Sequence, residues 1–135
     1  MTKGLISFSL LILIAFTVWS CEDTVTGGGN DITFPDTGTV SYSAHVQPLF
    51  NLKCNFSGCH GADTKAIRGF DFTAYGNFAI TGQDIVIPGD TVNSRLIRAI
   101  KGLTPGKEMP RGNYPLPQDQ IRGLTRWVQQ GAQQN

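Results

Sequence analysis

Two cysteines and a histidine fall together in Cys54-Asn55-Phe56-Ser57-Gly58-Cys59-His60. The chain of 135 residues has only 3 Cys and 2 His in all, so this run concentrates most of its thiol and imidazole chemistry. That scarcity excludes a multi-Cys zinc module and a dense disulfide scaffold. A chain of this length allows one domain, and a domain this small usually needs a metal, a disulfide or a bound group to hold it. Lys and Arg total 11 against 10 Asp and Glu, a formal net charge of +1, and no basic run exceeds two residues. No nucleic-acid partner is expected, because such binding works through clustered phosphate-neutralising charge. With 16 Gly and 7 Pro, short elements joined by many loops are expected.

The first twenty residues read as a leader. Lys3 is the only charge before Glu22, and Leu5 to Val18 is almost wholly apolar. The run is shorter than the roughly 20 residues of a membrane-spanning helix and matches a secretory signal; a true spanning anchor is the competing reading. It ends at Ser20-Cys21, which resembles a bacterial lipobox. The resemblance implies residues 1–20 as a lipoprotein signal peptide and Cys21 as the lipidated new N-terminus. The protein would then be exported and membrane-anchored through this lipid, facing the periplasm or the cell surface. Cleavage removes Lys3 and no acid, which leaves the mature chain with a formal net charge of zero.

Residues 21–40 carry Gly27-Gly28-Gly29, Pro35 and several Thr and Asp, with no helical period. They read as the lipidated Cys followed by a flexible tether with a reach of roughly 25 Å. An edge strand at Ile32-Thr33-Phe34 is the alternative. Residues 41–135 are the folded domain. Its first helix is expected through Val46, Leu49, Phe50 and Lys53, capped by Ser43 with Pro48 in its first turn. Thr73 to Phe78 suits one turn. Ile85-Val86-Ile87 is expected extended before a Pro88-Gly89-Asp90 turn. Leu96, Ile97 and Ile100 recur at helical spacing and stop at Gly102. Thr104 to Pro115 is loop. Pro117 opens the last helix, with Ile121, Leu124, Trp127 and Val128 on one face and Gly131 closing it. No alternating run suggests a sheet.

The run Cys54 to His60 differs by two residues from C-x-x-C-H, the common attachment motif of c-type haem. In that motif two thiols add across two vinyl groups and the adjacent imidazole becomes an iron ligand. Here the spacing is C-x4-C-H. The second Cys and the His stay adjacent, and Gly58 eases the longer turn. The same residues also suit a Cys54–Cys59 disulfide in a haem-free binding or structural lipoprotein. A zinc site with His45 and a catalytic Cys–His pair are further alternatives. A haem iron with no open position needs a sixth ligand. Met109, in the polar Gly106-Lys107-Glu108-Met109-Pro110 segment, has no apolar face to fill and suits that role. His45 is the other candidate, and its place on the first helix reads as a surface position.

The order of several pieces resembles the small class I-like cytochrome c domains of bacterial lipoproteins. They are Val40 to Phe50, Cys54 to Gly61, Gly69 to Tyr75, Val86 to Asp90, Asn93 to Ile97, Met109-Pro110 and Trp127 to Ala132. Where family members read Met-Pro-Pro, this chain reads Met109-Pro110-Arg111. The resemblance implies an all-α, loop-rich domain around one covalently bound haem c, with its first and last helices crossing beside it. By the same resemblance Cys54 and Cys59 are the thioether sites, His60 is the proximal iron ligand and Met109 the distal one. A Phe50–Trp127 aromatic pair is expected between the helices, and a backbone carbonyl is expected on the free ring N–H of His60. Arg68, Arg95, Arg98 and Arg111 are candidate partners of the haem propionates or plain surface residues. The function expected is a monohaem, lipid-anchored one-electron carrier working with redox partner proteins, and not an enzyme. A haem sensor or peroxidase-like activity would require Met109 to be off the iron.

Overall fold

The computed structural model describes residues 32–112 and 115–135. The expected signal peptide, Cys21 and the first part of the tether lie outside the described residues. The described chain is helical and loop-rich, and no strand is formed within it. Among these residues no helix is long and apolar enough to cross a membrane.

A wide π turn over Tyr42–Val46 runs directly into α1, Gln47–Lys53. Ser41, rather than the expected Ser43, caps it: the Ser41 hydroxyl accepts the Ala44 N–H at 3.2 Å. Pro48 lies in the first turn of α1, where its missing N–H is tolerated, and the wide turn meets the regular helix beside it. A 3-10 turn over Ala62–Thr64 leads into α2, the single turn Lys65–Arg68, which Gly69 ends at φ +80°. Tyr75–Asn77 forms another 3-10 turn, inside the segment expected to hold one.

Before α3, Arg95–Ile100, the extended Ile85-Val86-Ile87 segment turns back at Pro88-Gly89. Buried Ser94 joins the two: its side-chain oxygen accepts the Ile87 N–H at 2.8 Å and donates to the Asp90 carbonyl at 2.6 Å. The turn is tied to α4, Gln118–Gln129, by a hydrogen bond from the Gly89 N–H to the Val128 carbonyl at 2.8 Å. α3 packs against α4, as their apolar spacings require.

The core is aromatic. Tyr42 meets Trp127 at 5.9 Å between ring centroids, and Phe50 meets Phe72 at 4.5 Å. Phe78 stands between the two groups, 5.4 Å from Phe50 and 6.5 Å from Trp127. The expected Phe50–Trp127 pair is therefore replaced by a bridge through Phe78. The turn at Tyr75–Asn77 delivers that ring between the first and last helices.

Residues 32–40, within the segment read as tether, lie along α4 without forming the edge strand considered for them. Phe34 covers Gly123, where an added Cβ would come within 2.1 Å of the ring. The Arg126 guanidinium donates to the carbonyls of Pro35, Asp36 and Gly38, each at 2.7 Å. Gln120, fully buried, donates to the Ile32 carbonyl at 3.1 Å. Side chains of a helix satisfy this extended segment in place of a sheet ladder.

Candidate functional site

α1 ends at Cys54, whose N–H still reaches the Phe50 carbonyl at 2.8 Å. The chain then closes a tight loop. The N–H groups of Cys59 and Gly61 both donate to the Phe56 carbonyl at 3.0 Å, and the His60 N–H donates to the Cys54 carbonyl at 3.2 Å. Gly58 takes φ +76°, a conformation that side chains resist, as expected from the sequence. Gly61 is needed for space: a Cβ there would lie 2.8 Å from Asp63 Oδ1 and 2.9 Å from the Phe56 carbonyl oxygen.

The structure thus brings Cys54, Cys59 and His60 into one hydrogen-bonded turn. Both cysteines are free thiols, Cys54 half-buried and Cys59 exposed. Burial, and then the neighbouring Cys59, push the Cys54 thiol up to about 12. Burial, and then the Arg68 cation, hold the His60 imidazole below its usual value. Both effects favour the neutral ring, the form that offers a lone pair to a metal.

The chain after α2 returns to cover this imidazole. Phe70 stacks on His60 at 5.0 Å with planes 24° apart, and Phe72 meets it edge-on at 5.1 Å. The Phe72 N–H donates to the His60 carbonyl at 2.9 Å. Nδ1 of His60 is buried and has no hydrogen-bond partner, so the expected carbonyl acceptor is not there. The two phenyl rings occupy the flanks of the imidazole instead.

Phe70 and Phe72 were not singled out for the site from the sequence. Their signal was Phe70-Asp71-Phe72, because residues two apart in extended chain point to the same side. Asp71 between them is buried. Burial alone would raise its carboxyl. Hydrogen bonds from Thr73 and Asn77, with Lys65 at 3.6 Å, outweigh that and hold it below the ordinary range.

Met109 is on a separate loop, partly buried, with its N–H on the Ala99 carbonyl of α3 at 3.1 Å. His45 is engaged elsewhere: its Nδ1 accepts the Ser41 N–H at 3.1 Å and its ring lies 5.8 Å from Phe34. Among the described residues no three His, Cys, Asp or Glu side chains form a cluster for a metal ion. The zinc reading with His45 is therefore not assembled. Of the arginines considered for propionates, Arg68 donates to the Gly58 carbonyl at 3.2 Å, Arg95 to Gln83 at 3.1 Å and Arg111 to Gly106 at 3.3 Å. Arg98 is exposed.

The donor set fits a covalently attached haem. It has two free thiols, a neutral imidazole directly after the second, and apolar rings beside that imidazole. No curated protein and no solved structure matches the chain significantly. Residues 57–112 match the family model described as Planctomycete cytochrome C. The match takes in Cys59, His60 and Met109 and begins just after Cys54. It supports a cytochrome c-like domain, and with it covalently bound haem c and a role in electron transfer.

Proposed function

We propose that this chain is a monohaem c-type cytochrome, a one-electron carrier exported and anchored to a membrane by lipid on Cys21. Cys54 and Cys59 hold the haem through thioethers, and His60 and Met109 ligate its iron. The observation that carries the reading is the His60 imidazole, packed against Phe70 and Phe72 immediately beyond two free thiols. The family match points the same way.

When bound, the haem supplies reversible one-electron exchange at iron. The chain's residues do the rest. His60 supplies a neutral nitrogen donor, and the phenyl rings beside it restrict its rotation and exclude water. The thioether of Met109 favours the reduced metal and raises the potential. If His60 and Met109 both held the metal, no position would be left for a substrate, which favours electron relay between redox partner proteins over catalysis. The chain between Cys21 and the domain would connect the lipid to it.

Denaturing electrophoresis with a haem stain tests the proposal, using full-length protein made in a host that matures c-type cytochromes. Wild type is expected to retain haem through denaturation. A wild type that does not would reject the proposal and favour the haem-free lipoprotein. Labelling with a radioactive fatty acid tests the anchor: Cys21→Ala is expected to lose a label that wild type carries.

A further inference from the structure

The loop between the two thiols is clasped from outside. Ser57 Oγ and the Gly58 N–H both donate to Asp63 Oδ2, each at 2.9 Å. Arg68 donates to the Gly58 carbonyl at 3.2 Å. The Thr64 hydroxyl reaches the Cys59 carbonyl at 3.0 Å. Asp63, Thr64 and Arg68 all lie in the short helical segment after His60, so the chain that follows the motif folds back to grip its tip.

The grip falls on the second half of the loop, Ser57 and Gly58, and on Cys59. A four-residue insert between two thiols samples more conformations than a two-residue one, and ordering it costs more entropy. Double attachment requires both sulfurs to meet one rigid planar group. Each attachment adds the thiol sulfur to one vinyl carbon and its hydrogen to the other, with no net oxidation or reduction. We propose that Asp63, supported by Arg68, is a positioning residue that fixes the longer loop so that both Cys54 and Cys59 are attached to one haem. The inference rests on the proposed function and deepens it.

The two functions of Asp63 Oδ2 as acceptor suggest the variants. Asn keeps an oxygen that accepts both hydrogen bonds, whereas Ala keeps none. Full-length wild type, Asp63→Asn, Asp63→Ala and Ser57→Ala are made with c-type maturation. Thioethers are counted by mass spectrometry of the haem peptide and by the α band of the pyridine complex, which a remaining vinyl group shifts to longer wavelength. Far-UV circular dichroism checks the fold. The ratio of doubly to singly attached product is expected to fall about fivefold in Asp63→Ala, the factor that one net hydrogen bond represents, and to stay near wild type in Asp63→Asn. If Asp63→Ala fails to fold, Ser57→Ala decides: a lower ratio supports the clasp and a wild-type ratio overturns it. Folded Asp63→Ala with a wild-type ratio overturns the inference alone. Wild type without covalent haem overturns the inference together with the proposed function.

Discussion

The imidazole of His60 lies face to face with the ring of Phe70, with centroids 5.0 Å apart and planes 24° apart. Phe70 is buried, and Phe72 closes the neighbouring side against His60, Phe50 and Phe78. The ligand candidate thus packs against the aromatic core. Phe70→Ala should cost about 3 kcal/mol through lost packing and the cavity left behind. Urea denaturation measures it, and a loss under about 1 kcal/mol would show that the ring is not packed as described.

Asp71 gives a pH dependence. Its carboxyl is held below the ordinary range in the folded protein, so its stabilisation is present above the unfolded value of about 3.9 and is lost as pH falls through the folded value. Asp71→Ala should cost about 1–3 kcal/mol at pH 7, since it leaves the Thr73 and Asn77 donors without their acceptor. Denaturation midpoints from neutral to acid pH should show a smaller acid loss in the variant. Parallel curves would contradict this account.

The strap along α4 rests on a missing methyl group. Gly123→Ala would place a Cβ within 2.1 Å of the Phe34 ring. It should destabilise by about 1–3 kcal/mol and expose residues 32–40 to limited proteolysis. Gly76→Ala is the control, because nothing lies within 4 Å of the added atom. Equal cleavage in both variants would contradict the packing.

Met109→Ala should retain covalent haem, since both thiols are untouched, and lower the reduction potential by removing a sulfur donor that favours the reduced metal. Redox titration followed by absorption checks it. An unchanged potential and spectrum would reject Met109 as a ligand.

The local features were readable because they are written in adjacent residues. Ile121, Leu124, Trp127 and Val128 mark one helical face, and all four are buried on α4. Cys54, Cys59 and His60 announce themselves by spacing, and Gly58 by the turn that this spacing needs. What sequence spacing did not reveal depends on distant partners. Phe34 meets Gly123 across most of the folded chain, and no local pattern records that fit. Phe78 enters between the helices from a short turn with no periodicity to mark its direction. The cap moved from Ser43 to Ser41 because the helix begins with a wide turn. The carbonyl expected on His60 was carried over from how imidazole ligands are usually held, and here aromatic rings flank the group.

The central claim is covalent attachment of one haem at Cys54 and Cys59. Its most direct test is the haem stain, with iron and protein quantified together, on wild type, Cys54→Ala and Cys59→Ala. The account predicts one iron per chain in wild type and loss or severe reduction of covalent haem in each variant. Wild type free of covalent haem, or both variants stained as strongly as wild type, would contradict it.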